Sequence, residues 1–152
     1  MYRWILAMGI GMATCFAVGC GSSGSDTASA PLTKPQYVKQ AEAICTRINK
    51  EAEKAAAAWK KKFPGGIAEA EEHADDGLKE VVVPSIEREA EELEALEPPA
   101  KDKVVVDRFV ANLSQASEVL GQGGLKALPK SGALEFKQEA TEYGLKSCGG
   151  AL

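Results

Sequence analysis

The stretch TKPQYVKQAEAICTRINKEAEKAAAAWKKKF, residues 33–63, decides the fold. Thr33, Lys34, Pro35 and Gln36 carry the spacing of a capping box, in which a hydroxyl takes an orphan backbone N–H and a Gln side chain reaches back to the cap. Behind it Tyr37, Ala41, Ile44, Ile48, Ala52, Ala55 and Trp59 recur in steps of three and four. That period places them on one stripe of an α-helix. Pro64-Gly65-Gly66 removes a backbone donor and frees the chain to turn, so this helix is predicted to end near Phe63.

The same period continues downstream. Ile67 to Leu96, with Ala70, Ala74, Leu78, Val82, Ile86, Leu93 and Leu96 inward, reads as a second helix kinked or broken near Pro84. Val81-Val82-Val83 has the composition of a short strand but sits inside helical periodicity. Pro98-Pro99 ends this region and opens a third helix, with Val105, Phe109, Asn112 or Leu113, Ala116 and Leu120 on one face. Gly121-Gln122-Gly123-Gly124 stops it. Ser131 is the expected cap of a last helix that carries Leu134 or Ala133, Phe136, Ala140 and Tyr143 inward before reaching Cys148. Short connections make neighbours antiparallel, so the expected fold is all-α, a four-helix up-down bundle over residues 33–152. About 120 residues suit one core and one domain.

Upstream, Arg3 precedes an uncharged apolar run, Ile5 to Val18, that ends in Gly19. This is the pattern of a secretion signal, residues 1–19, and it is short for a spanning helix, which needs about 20 apolar residues. Ala17-Val18-Gly19-Cys20 resembles the bacterial lipobox, with Ala17 where Leu is commoner; the resemblance implies that Cys20 becomes the lipid-bearing first residue of the mature chain. An uncleaved anchor, or ordinary cleavage near Gly19 or after Ala30, are the alternatives. Residues 20–32 lack an apolar face and read as a flexible tether spanning about 20 Å.

The chain has four cysteines. With Cys15 in the leader and Cys20 in the lipobox, Cys45 and Cys148 remain, and an even pair in an oxidising compartment is expected to form a disulfide joining the first helix to the fourth. Two buried free thiols are the alternative.

The segment Ala43-Ile44-Cys45, the run from Leu93 to Leu96 into Glu97-Pro98-Pro99, and the closing Tyr143-Gly144-Leu145-Lys146-Ser147-Cys148 together give residues 36–149 a further likeness. The mature region resembles uncharacterised secreted or lipid-anchored proteins of actinobacterial type. That resemblance implies a helical domain with a Cys45–Cys148 bridge and brings no activity with it.

Chemistry-bearing residues are sparse. The chain carries 18 basic and 22 acidic residues, and without Arg3 the balance is 17 against 22, a net charge of −5. Lys60-Lys61-Lys62 is offset by Glu69, Glu71, Glu72, Asp75 and Asp76, which disfavours nucleic acid as a partner. His73 is the only histidine, so neither a Ser-His-Asp triad nor a di-iron bundle can be assembled in the usual way. Glu69 and His73, and Glu72 and Asp76, stand four apart, a spacing for weak divalent-cation binding that reads more simply as a solvated face. Asn112-Leu113-Ser114 is a coincidental sequon, and Gly121 to Gly124 lack the context of a phosphate cradle. No catalytic residue, metal or cofactor is expected. Trp59 and Phe63, four apart, form either core packing or an aromatic lip for a ligand or partner.

The expectation is a non-enzymatic envelope protein, an interaction or structural module held to the extracytoplasmic side of a bacterial membrane by its lipid. Its alternative is a small-ligand-binding lipoprotein with a pocket between helices walled by Trp59, Phe63 or Phe136. Cys20→Ser should leave the precursor unprocessed or released from membranes, and the intact mass of membrane-bound protein should show acyl chains on an N-terminal Cys20. An unmodified N-terminus at Ser22, Ala30 or Pro31 would contradict the anchor.

Overall fold

A computed structural model describes residues 31–150; the leader, Cys20 and the tether up to residue 30 lie outside the described residues. The architecture is all-helical, with six α-helices and no strand among the described residues. The first, α1 (Lys34–Lys60), starts at the anticipated capping box. The Gln36 side-chain oxygen accepts both the Thr33 N–H, at 2.9 Å, and the Thr33 hydroxyl, at 2.7 Å. The buried stripe is Tyr37, Ala41, Cys45, Ile48, Ala52 and Trp59. Ile44 is only half-buried and Ala55 is exposed, so the inward stripe is turned one residue from the expected one at both places, toward Cys45 and Ala56. Leu32, assigned to the tether from sequence, packs against the core.

The second helical region is divided more than its periodicity implied. It comprises α2 (Ile67–Glu72), α3 (Ala74–Gly77), a π-helical turn over Leu78–Val82, and α4 (Val83–Glu94). His73, at φ −105° and ψ 19°, breaks the first two apart. The π turn answers to Pro84. A proline inside a regular helix lacks the N–H for its i−4 partner, and its ring meets that residue's carbonyl, here Glu80. The wider turn, in which the Val83 N–H reaches back to the Leu78 carbonyl, leaves Pro84 in the first turn of α4, where no donor is required.

Pro98-Pro99 does not itself open the next helix. The third long helix, α5, runs Lys103–Gly123 from an Asp102 cap. Val106 faces the core together with Phe109, Val110, Leu113, Ala116 and Leu120, whereas the expected Val105 is exposed. The glycine-rich stop opens a short 3-10 helix, Leu125–Lys130, where the sequence alone implied no regular element. The last helix, α6, is Ala133–Tyr143, with Ala133 rather than Leu134 inward. Gly132 occupies the cap position; Ser131, expected there, stands one residue earlier and accepts the Ala133 N–H through its hydroxyl at 3.2 Å.

α4 packs against α1 on one side and α5 on the other, and α5 packs against α6. At the α1–α4 seam Arg47 pairs with Glu92, and Glu51 with Arg88. These pairs are partly solvated and add little stability beyond fixing register. Where α5 meets α6, Phe109 lies 6.2 Å from Phe136 and 5.6 Å from Tyr143, and the Tyr143 hydroxyl donates to Asp102 at 2.9 Å. Tyr143 also meets the start of α1, edge-on to Tyr37 at 6.0 Å. Among the described residues no helix is long and apolar enough to cross a membrane.

The turn into the 3-10 helix hangs on one glycine. Gly124 sits at φ 67°, ψ −165°, a region essentially restricted to glycine, and Asp75 from α3 accepts the Leu125 N–H at 2.8 Å. A Cβ at Gly124 would fall 2.8 Å from the same Asp75 oxygen. Gly124→Ala should therefore destabilise the domain by about 1–3 kcal/mol in urea unfolding, from backbone strain and the lost Asp75 contact. An unchanged unfolding midpoint would show that this loop is not held as described.

Candidate functional site

Two places gather chemistry. The first is where the chain end is fastened to α1. Glu42, Cys45 and Asn49 are spaced by three and four, which puts them on one helix face. The Ser147 N–H and hydroxyl both donate to the Glu42 carboxylate, at 2.9 and 2.7 Å. The Asn49 amide donates to the Ser147 carbonyl at 2.6 Å. Cys45 and Cys148 form a disulfide with Cα atoms 4.8 Å apart. The bridge ties α1 not to α6, as the expected helix pairing had it, but to the tail beyond it, because α6 stops at Tyr143.

Behind the bridge lies a residue that sequence reasoning missed. Glu89 of α4 is 1% exposed. One carboxylate oxygen accepts the Gly149 N–H at 3.0 Å, and the other, Oε2, is buried with no partner. A Glu89 oxygen and both sulfurs lie within 4.8 Å of one another. Burial pushes the Glu89 carboxyl up to about 7, the Gly149 hydrogen bond opposing that rise. A signal did exist: Glu89 stands three residues after Ile86 and four before Leu93, on the apolar stripe of α4.

The second place is an apolar cleft at the far end of α1. Trp59, Ala70 and Val81 form a small core of their own, with Ala56 and Phe63 packed against it. The cleft, about 510 Å³ and open on one side, is lined by Trp59, Ala70, Ala74, Leu78, Val82 and Leu125 among others, with Lys60 and Glu71 as its charged members. The volume and lining fall within the range typical of small-molecule sites. Gly77 also lines it; a Cβ there would meet the Trp59 ring at 3.0 Å, so the indole lies against bare backbone. Gly77 has ordinary helical dihedrals, and close approach alone explains the glycine.

Of the aromatic residues singled out from sequence, Trp59 reaches the cleft wall. Phe63 stands behind it, 4.7 Å from the indole and stacked on His73 at 4.9 Å. Phe136 is fully buried between α5 and α6 and touches neither place. The acidic stretch does not converge: Glu69 accepts the Gly65 N–H at 2.6 Å, whereas His73 turns to Asp76 at 3.2 Å. A second depression of about 600 Å³, between the end of α4 and the start of α5, is crossed by Glu94, Glu97, Lys103 and Asp107 and lacks an apolar floor of comparable extent.

Glu89 makes stability depend on pH in a defined sense. Its folded pKa, about 7, lies above the ordinary 4.5, so the folded state holds the proton more tightly. The stabilisation is complete below pH about 4.5 and lost as pH rises through about 7. With the disulfide intact, the domain should lose up to about 3 kcal/mol between pH 5 and pH 8 through this group. Glu89→Gln should flatten that dependence and be the more stable protein at pH 8; parallel wild-type and variant profiles in urea would contradict the burial of a titrating carboxyl.

No protein-family model, no curated protein and no solved structure matches the chain, so the chemistry of clasp and cleft is read from their own residues.

Proposed function

We propose that this protein is a non-enzymatic binding module of the bacterial envelope, tethered through Cys20 on the extracytoplasmic side of the membrane, that takes a small apolar or aromatic ligand in the Trp59 cleft. The observation that carries this reading is the cleft itself: aliphatic walls and one indole around about 510 Å³, bordering the main core only through Leu78 and Val82. Unlike the larger depression between α4 and α5, which charged side chains cross, this cleft offers a predominantly apolar wall, the lining that suits an apolar ligand. The non-enzymatic part rests on the residues around it, which offer no nucleophile with a base beside it; His73, the one histidine, is stacked on Phe63 and bonded to Asp76.

In the same reading the domain follows an up-down four-helix plan, α2 through α4 making one interrupted arm. Supporting it, Arg47 faces Glu92 and Glu51 faces Arg88, numbers that rise along α1 as they fall along α4. Val83 lies beside Gly121, and Asp102 beside Tyr143, in the same opposed sense. The interruption is then functional: the stagger of α2, α3 and the π turn opens the cleft that one straight helix would close.

The chain has two tryptophans, Trp4 and Trp59, so in the full chain carrying Trp4→Phe the indole of the cleft is the only one. Titration with 1-anilinonaphthalene-8-sulfonate should give saturable, one-to-one energy transfer from Trp59. Ala74→Leu, which adds three carbons to the cleft wall, should weaken binding about tenfold or more while leaving the helical signal unchanged. Binding that does not saturate, or that Ala74→Leu leaves untouched, would overturn the ligand site.

A further inference from the structure

The clasp holds a combination that a purely structural disulfide does not call for: two sulfurs and a buried carboxylate from three separate elements. We propose that, once the disulfide is reduced, Cys45, Cys148 and Glu89 form a buried site for a borderline-soft divalent cation of the zinc type. Cys45 comes from α1, Glu89 from α4 and Cys148 from the tail, so the donors meet only in the folded chain. The three donor atoms already lie within 4.8 Å of one another. Tetrahedral zinc, with bonds of about 2.3 Å to sulfur and 2.0–2.2 Å to oxygen, sets its donors about 3.5–3.8 Å apart. Once the bridge is cut, the two sulfurs must therefore part by roughly 2 Å from their bonded distance and the carboxylate oxygen close in by about 1 Å.

An independent observation points to a ligand. Glu89 Oε2 is buried and without a hydrogen-bond partner, and no basic side chain is paired with this carboxylate among the described residues. A cation bound between the carboxylate and the sulfurs holds the group ionised and compensates the burial of a carboxylate that has a single hydrogen bond. Thiolates with one carboxylate suit zinc better than magnesium or calcium, which take oxygen donors alone. Three protein donors leave a fourth position to water.

The chemistry balances as follows. An external dithiol exchanges with the Cys45–Cys148 bond and closes to its own disulfide, delivering two electrons and two protons and leaving two thiols. The cation then displaces both protons to solvent and bonds two thiolate sulfurs and one carboxylate oxygen.

Cobalt(II) is the probe, in the full chain in detergent carrying Cys15→Ala and Cys20→Ala, which leaves Cys45 and Cys148 as the only cysteines. After reduction with a phosphine and its removal, cobalt should bind one to one, with sulfur-to-cobalt charge-transfer absorption and the visible bands of a tetrahedral ion, and the oxidised protein should show neither. Zinc should displace it. Glu89→Gln should weaken binding about tenfold or more without loss of helix. If reduction itself loosens the domain, the cation should restore the helical signal. No stoichiometric uptake by the reduced chain, equal affinity in Glu89→Gln, equal affinity in concentrated urea, or a loosened domain that cobalt does not restore would each overturn the site.

Discussion

The covalent closure between Cys45 and Cys148 is the constraint on which the rest of the domain depends. It spans 103 positions of sequence, nearly the whole described chain. In the chain-entropy account, a loop of about 100 residues closed in this way removes up to about 4.7 kcal/mol of disorder from the unfolded state, more than any single contact supplies. The closure also has a local consequence. A tail of turns after α6 has few backbone partners of its own, and Glu42, Asn49 and Glu89 supply them at Ser147 and Gly149. These attachments and the bridge lie within three residues, so the tail is held as a unit, and the side of α1 that it covers is a polar one.

Burying Glu89 is unfavourable for stability on its own account. A carboxyl with one hydrogen bond and one orphaned oxygen is desolvated without full compensation, and a well-packed apolar side chain of similar size would serve the core better. It is placed against the bridge and nowhere else, which is why its position reads as chemistry. Tyr37, whose hydroxyl is also buried without a partner, differs: its ring fills core space against Tyr143, which offsets the cost of the unpaired hydroxyl, and burial, with Asp107 adding, pushes that hydroxyl up to about 12, so it stays neutral.

At the opposite end of α1, backbone geometry governs. His73 interrupts the helix after Glu72, the π turn makes room for Pro84, and Asp75 holds the glycine turn that brings Leu125 alongside. Each is a small departure from regular helix. Together they leave the Trp59 indole with Gly77 beneath it and an open apolar wall beside it. Irregular backbone here does what a larger side chain would prevent.

Which parts were legible follows from the range of the interactions. The capping box at Thr33, a helix end ahead of Pro64 (at Lys60, three residues before the expected Phe63), the disturbance near Pro84 and the all-helical class are local matters of dihedral preference and periodicity, and the sequence by itself determined them. Periodicity also found the inward stripes, but only to within one residue: Ile44 against Cys45, Val105 against Val106, Leu134 against Ala133. Neighbouring positions differ by about 100° on a helix, both can border an apolar stripe, and only the surface of the facing helix chooses between them. Tertiary structure alone decided that Glu89 lies behind the bridge, that the bridge meets the tail instead of α6, and that Trp59 rests on Gly77. Those contacts join residues 18 to 103 positions apart, and no local preference encodes a meeting at that distance; it is set by which helices pack, and in what register.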